Sequence, residues 1–110
     1  MMLVVDPWDW LRKDGSLPLG NPGLRRNTLR VARVIEYGGP LPTGQYRQTL
    51  IECRRRPNRR PCGGLLSVVK LPDETLLATC PQCMTDQMLV HNWSETKWAA
   101  GPQPGRRWVP

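Results

Sequence analysis

Four cysteines and an arginine-rich loop are the features of this 110-residue sequence with the clearest chemistry. The cysteines follow the spacing C-x8-C-x17-C-x2-C, at Cys53, Cys62, Cys80 and Cys83. A hairpin between the two pairs would fold one pair back beside the other. Zn²⁺ suits such a group because it binds four thiolates in a tetrahedron, at about 2.3 Å from each sulfur. The spacing therefore predicts one structural zinc ion held by all four cysteines.

Three alternatives use the same region of the chain. Iron accepts four tetrahedral sulfurs as readily as zinc does. Cys80 and Cys83 could form a redox dithiol, but such a motif opens a helix in a βαβ unit, and strands are predicted on both sides here. His91 is the only histidine and could replace Cys53 as a ligand. We expect it instead on the last strand, hydrogen-bonded and packed near Trp93.

The loop between the first two cysteines reads CRRRPNRRPC and holds five arginines. One or two arginines would offset the negative charge of zinc bound to four thiolates. The others suit phosphate groups, because a guanidinium presents a planar fork of donors and a loop pinned by metal presents it at low entropic cost. The sequence thus predicts phosphate contacts from Arg54, Arg55, Arg56, Arg59 and Arg60.

The net charge of +7 is concentrated in one region of the chain. Residues 25–60 carry ten basic side chains against two acidic ones, and the rest of the chain nets −1. A local excess of this kind is typical of a surface for a polyanion. Arg26, Arg30 and Arg33 would form a second basic surface, on the helix described next.

A helix is predicted from Leu24 to Ile35. Asn21 is a candidate N-cap, Pro22 suits the first helical position, and the segment Gly38-Gly39-Pro40 would end the helix. At about 100° per residue the apolar positions share one face, and the three arginines fall on the opposite side. Four later segments rich in Val, Leu, Ile and Thr predict strands, namely YRQTLIEC, GLLSVVKL, ETLLATC and QMLVHNW.

Cysteine pairs at strand-to-strand turns resemble a zinc ribbon, and the resemblance covers residues 46–93. The segment Cys80-Pro81-Gln82-Cys83 has the short spacing and early proline of a ribbon knuckle, and Gly63-Gly64 follows Cys62. The eight residues inside the first pair and Met84 after the last cysteine depart from that pattern. The stretches IECRRRP, CPxC and HNW also resemble small bacterial zinc-ribbon proteins of uncharacterised function.

Length and composition indicate one domain with a small core. Proline and glycine make up a fifth of the chain and there is no Phe, so a metal is expected to staple the fold. The predicted fold class is α+β, with an N-terminal helix packed on an antiparallel sheet of three to four strands. The predicted domain is 1–98, with a helical N-terminal segment 1–40 and a zinc ribbon 46–93. Residues 99–110 are predicted to form a flexible tail.

We see neither a secretory signal nor an apolar run long enough to span a membrane, so a cytoplasmic protein is expected. We also see no group of catalytic residues in the sequence. Paired carboxylates are not placed near a nucleophile, and four cysteine ligands would leave no open position on the metal for water or substrate. The predicted function is non-enzymatic binding of DNA or RNA through backbone phosphates. The alternative is a docking module for an acidic protein partner.

Overall fold

Helix α1 (Pro22–Gly38) begins and ends where the flanking residues predict. The computed structural model describes residues 2–84 and 86–101 of the chain. The Asn21 side chain accepts a hydrogen bond from the Leu24 amide at 3.0 Å, and Pro22 takes the first helical position. At the other end the Gly39 amide donates to the Ile35 carbonyl at 2.7 Å. The predicted helix is confirmed, with one more turn at its C-terminal end.

Five strands form one sheet, in the spatial order β1-β5-β4-β3-β2. Strands β2 to β5 correspond to the four strand segments predicted from the sequence, and β1 precedes the helix. Their bounds are β1 Met2–Val5, β2 Tyr46–Glu52, β3 Leu65–Lys70, β4 Leu76–Thr79 and β5 Gln87–Val90.

The α+β class is confirmed, but two details of the predicted architecture are wrong. The sheet has five strands and is mixed, because β1 pairs parallel with β5 while the other pairs are antiparallel. The helix is also mid-chain, since β1 comes before it. The run MMLVV has no alternation of polar and apolar residues, and so it lacks the periodicity by which a half-exposed strand is recognised.

Helix α1 packs on one face of the sheet, across β2, β3 and β4. Val34 and Ile35 of the helix belong to the same core cluster as Val68 and Leu76 of the strands, and all four are fully buried. Gly38 allows the last helical turn to lie against the sheet, because a Cβ there would stand 2.8 Å from Val68 Cγ1. Alternate residues of β3 and β4 are buried, as expected for strands with one face on the core.

Trp93 and Trp98 belong to the core. The indole nitrogen of Trp93 donates to the Glu74 carbonyl at 2.7 Å, and Lys70 Nζ lies 4.7 Å from the centre of a Trp93 ring. Both tryptophans are nearly inaccessible to solvent, so neither presents a ring face on which a base could stack.

The predicted boundary after residue 98 stays a prediction. Ala99 and Gly101 continue the chain with amides that bond to Thr96 and Trp98. Residues 102–110, which make up most of the predicted tail, lie outside the described residues. Among the described helices, none has the length and apolar character needed to cross a membrane.

Candidate metal centre

All four cysteines lie at one end of the sheet. Cys53 directly follows β2, and Cys80 directly follows β4, while Cys62 and Cys83 precede β3 and β5. Because β2 to β5 are neighbours and antiparallel, the end of one strand lies beside the start of the next. The fold therefore brings together two cysteine pairs that are far apart along the chain.

The sulfur positions fit a tetrahedral metal. Cys53 Sγ lies 3.6 Å from Cys83 Sγ, and Cys62 Sγ lies 3.6 Å from Cys80 Sγ. All four sulfurs are within 4.8 Å of one another. Four sulfurs at about 2.3 Å from a common zinc ion would be about 3.8 Å apart. A disulfide needs roughly 2 Å, so these cysteines are free thiols arranged as a ligand set.

Eight residues separate Cys53 from Cys62, but six of them, residues 56–61, form a side loop that we call the excursion. The Cys62 amide donates to the Arg55 carbonyl at 3.0 Å, which closes residues 56–61 into a separate loop. The Arg55 amide donates to Cys53 Sγ at 3.4 Å. With the excursion set aside, only Arg54 and Arg55 lie between Cys53 and Cys62, as two residues do in a short knuckle. This closure explains why a long spacing reaches the same geometry as the short one.

The second knuckle turns tightly around Cys80 and Cys83. The Met84 amide donates to the Cys80 carbonyl at 2.9 Å, and the Cys80 amide donates to the Asp86 carbonyl at 3.0 Å. Met84 has a φ of 60°, in the left-handed region that glycine adopts most easily. The departure from the ribbon pattern at this position therefore places a non-glycine residue in a glycine-like conformation.

Two glycines serve the first knuckle in different ways. Gly63 has a φ of +74°, and a Cβ there would meet nothing within 4 Å. A Cβ on Gly64 would stand 2.7 Å from Cys80 Sγ and 3.4 Å from Cys62 Sγ. Gly63 thus supplies a backbone conformation, and Gly64 supplies the space in which the sulfurs approach each other.

Burial and contact with neighbouring thiols disfavour ionisation of Cys53 and Cys62. Burial raises the pKa of Cys53, and its thiol neighbours raise it further, against a hydrogen bond from the Arg55 amide. The Gly64 amide lowers the pKa of Cys62, but burial and its contacts with Cys80 and Cys83 outweigh this effect and raise it overall. Only the thiolate form of cysteine binds metal. Four neighbouring thiolates repel each other, so a bound cation is needed to stabilise them.

An ion pair joins helix α1 to the segment beside the cysteine cluster. Arg30 Nη2 donates to Asp86 Oδ2 and to the Glu52 carbonyl, both at 2.9 Å. The same Asp86 oxygen accepts the Arg54 amide at 2.9 Å. Burial would raise the pKa of Asp86, but the Arg54 amide and the Arg30 charge outweigh it and lower the pKa. Asp86 was not among the predicted site residues, and no spacing rule would have found it.

The structure brings three helix arginines and one loop arginine around a single cleft. The cleft lies between α1 and β2, has a volume of about 660 Å³, and is bordered by Arg26, Arg30, Arg33 and Arg54. Arg54 Nη1 also donates to Asn27 Oδ1 of the helix at 2.7 Å. A neighbouring cavity of about 260 Å³ is bordered by Arg30, Arg54 and Arg55.

The remaining loop arginines are exposed. Arg56, Arg59 and Arg60 lie on the excursion, which is ordered by its own contacts. Arg56 Nη2 donates to the Arg59 carbonyl at 3.2 Å, and the Arg59 amide donates to the Arg56 carbonyl at 3.0 Å. Arg30 differs from all of these, since it is 8% exposed and already paired.

His91 lies apart from the cysteines. It follows β5 at the end opposite to Cys83, and its Nδ1 is 3.4 Å from Thr75 Oγ1. It borders a separate cavity with Asp73 and Trp93. Among the described residues, the group of side chains that could hold a metal ion is Cys53, Cys62, Cys80 and Cys83, without His91.

Comparisons with protein-family models, with curated proteins and with solved structures find no match to this chain. The zinc-ribbon likeness therefore depends on the knuckles and on the sulfur geometry alone.

Proposed function

We propose that the protein binds one structural Zn²⁺ through Cys53, Cys62, Cys80 and Cys83. The two sulfur pairs at 3.6 Å, close to the edge of a zinc–thiolate tetrahedron, carry this proposal. Four protein ligands leave no open position for water or substrate, so we assign the metal to the fold rather than to catalysis. Zinc content measured by mass spectrometry of the native protein should be one ion per chain. Two disulfides without metal would contradict the proposal, and visible charge-transfer bands would indicate iron.

We further propose that the protein binds the phosphate backbone of DNA or RNA, in the cytoplasm and without chemistry on it. The binding surface, called the arginine surface below, consists of Arg26, Arg30, Arg33, Arg54, Arg55, Arg56, Arg59 and Arg60. The observation in favour is that three helix arginines and Arg54 of the loop border the same cleft, so the helix surface is continuous with the start of the loop. Guanidinium groups match phosphate oxygens through paired donors, and phosphate contacts fix position without reading sequence. Binding is therefore expected to depend on charge and salt more than on base sequence.

The excursion allows a direct test. Residues 56–61 can be replaced by Asn-Gly. The hydrogen bond between the Arg55 carbonyl and the Cys62 amide would then close a two-residue turn. That variant loses Arg56, Arg59 and Arg60 but keeps all four cysteines. We expect it to keep zinc and to bind mixed-sequence oligonucleotides more weakly. The slope of log affinity against log salt should flatten by about three on duplex DNA if each arginine contacts one phosphate.

The control removes the same charge elsewhere. Changing Arg12, Lys13 and Lys97 to Gln takes away three positive charges outside the arginine surface. This variant should bind like the unaltered protein between about 50 and 200 mM salt. Over that range, the rise in salt lowers the affinity of a protein with a handful of phosphate contacts by roughly a thousandfold. If both variants lose the same affinity for the oligonucleotides, the binding is a general attraction between a basic protein and a polyanion rather than contact with the excursion. If the unaltered protein binds neither DNA nor RNA at physiological salt, docking to an acidic protein becomes the leading function.

A further inference from the structure

The two edge strands of the sheet differ in how they are protected against pairing with another chain. The strand order places β2 at one edge and β1 at the other. β2 carries Arg47 and Glu52, and a bulge interrupts its register between Gln48 and Glu52. Charges and bulges are common devices that keep an edge strand from pairing. β1 reads MLVV, runs in unbroken register with β5 and has no charge, so its edge lacks both devices.

Three consecutive side chains of β1 are exposed, on both faces of the sheet. Met2, Leu3 and Val4 are 40%, 49% and 61% exposed, whereas Val5 is buried. Because side chains alternate along a strand, Leu3 shares the helix side with Val5, and Met2 and Val4 lie on the other side. Helix α1 packs across β2, β3 and β4 and leaves Leu3 half exposed. An apolar edge of this kind is typical of a strand-pairing site.

The backbone of β1 also has a free side. The Val5 carbonyl accepts a hydrogen bond from the His91 amide at 2.9 Å, so the backbone polar groups of Val5 are directed toward β5. These groups alternate in direction along a strand, and those of Met2 and Val4 are therefore directed away from β5. Within the part of the chain that the structure describes, no strand lies on that side. The amides and carbonyls of Met2 and Val4 can accordingly pair with a further strand.

We infer that this further strand is β1 of a second copy of the chain, in antiparallel pairing. One symmetric register uses all the free groups, because Val4 of each copy exchanges two hydrogen bonds with Met2 of the other. Leu3 then lies opposite Leu3 of the second copy, as a non-hydrogen-bonded pair on the two-fold axis. Only apolar side chains face each other across the edge. The uncharged strand is thus its own complement, and the inference does not depend on nucleic-acid binding.

Charge and area limit the strength of this dimer. Each copy stays positive even when the formal −2 of zinc with four thiolates is added to the +7 of the sequence. Leu3 also borders a cavity with Arg54 and Arg55, so pairing brings like charges closer together. Salt should therefore strengthen the dimer, because it screens this repulsion while the contact itself is uncharged. Two four-residue strands bury less than the roughly 1,000 Å² of a stable interface, so we expect a dissociation constant on the order of 100 µM.

Sedimentation velocity of the full chain tests the dimer. Between about 10 µM and 1 mM the monomer should give way to a dimer, with more dimer at about 500 mM salt than at about 50 mM. Val4→Pro removes the amide that each copy donates across the edge, and proline is tolerated where that amide faces solvent. We expect the change to weaken dimerisation at least about tenfold. Val4→Lys keeps the amide but adds a charge to the edge, and it should have the same effect.

Tyr46→Lys is the matched control for Val4→Lys. Tyr46 is 75% exposed on β2, the other edge strand. It ends the cross-strand row that begins at Val4 and continues through Leu89, Leu77 and Val69. This variant should dimerise like the unaltered protein. Loss of the dimer in both lysine variants would mean that the copies pack through the sheet face that carries this row, and it would overturn the inference.

Disulfide cross-linking tests the register. Leu3→Cys should form a covalent dimer in oxidised glutathione, because the two copies of position 3 lie within the reach of a disulfide. Val4→Cys is at a more exposed position but should not cross-link, because its counterpart lies two residues away in this register. Equal cross-linking of both variants overturns the register. A monomer at 1 mM overturns the whole inference, as does a dimer that forms only after residues 102–110 are deleted, since the chain's own end would then be the occupant of the edge.

Discussion

Gly63 and Gly64 are adjacent in the first knuckle, yet their substitution should have different consequences. Alanine at position 63 would be strained by the φ of +74° but would touch nothing. Alanine at position 64 would place its Cβ against Cys80 Sγ, at 2.7 Å. The first change acts on the backbone, and the second acts on a proposed metal ligand, Cys80.

We therefore expect Gly63→Ala to lower the free energy of unfolding by about 1–2 kcal/mol, the usual cost of a left-handed non-glycine residue, with zinc content unchanged. Gly64→Ala should reduce zinc content, because a sulfur must move away from the tetrahedron. Metal analysis and urea unfolding of both variants make the comparison. Full zinc content in Gly64→Ala would show that the knuckle adapts and that the space beside the sulfurs is not required.

Helix α1 is tied to the knuckles by one buried ion pair. Arg30 and Asp86 have side chains that are 8% and 14% exposed, and Arg30 also reaches the Glu52 carbonyl at the end of β2. A buried charge that loses its partner is costly, whereas replacing both charges together is often tolerated. The pair therefore acts as a unit, and it sets where the helix arginines lie relative to the loop.

Asp86→Ala should destabilise the protein by roughly 3 kcal/mol, because it leaves the Arg30 guanidinium buried without a carboxylate. Arg30→Met together with Asp86→Leu should cost much less than the sum of the single changes. A double-mutant cycle measured by urea unfolding gives the coupling energy. Additive effects of the two single changes would mean that solvent already screens the pair and that other contacts hold the helix.

The sulfur cluster forms one end of the apolar core. Leu76 pairs with Lys70 and Val90 at the end far from the cysteines, where Trp93 and the last turn of α1 also pack. Cys62 and Cys80 close the core at the other end. The composition predicted a core too small without a metal, but the five-stranded sheet buries several residues completely beneath one helix.

Removal of the metal should therefore loosen the molecule from one end. With a chelator, we expect amide protection to fall first at residues 53–64 and 80–86, while α1 and the hairpin of β3 and β4 stay protected for longer. Hydrogen exchange followed by mass spectrometry distinguishes the regions. Simultaneous loss everywhere would mean that metal binding and folding are one step, as in small zinc domains. Unchanged protection would argue against a structural metal.

Local patterns in the sequence predicted much of the secondary structure and the cysteine cluster. The caps of α1, the approximate positions of β2 to β5, and the placement of each cysteine at a strand end follow from residues close together in sequence. That placement predicted the sulfur cluster as well, because antiparallel neighbours return the chain to the same sheet end. Such features depend on spacing and turn chemistry, which a sequence displays directly.

Only the tertiary structure decided the rest. Parallel pairing of β1 with β5 joins residues more than eighty positions apart, and nothing in MMLVV specifies that partner. The burial of Arg30 depends on Asp86, and the shared cleft depends on how α1 crosses β2. Helical periodicity placed Arg30 on the polar side, but the ion pair determined that it is buried. Long-range contacts of this kind depend on the packing of whole elements, so no local window of sequence contains them.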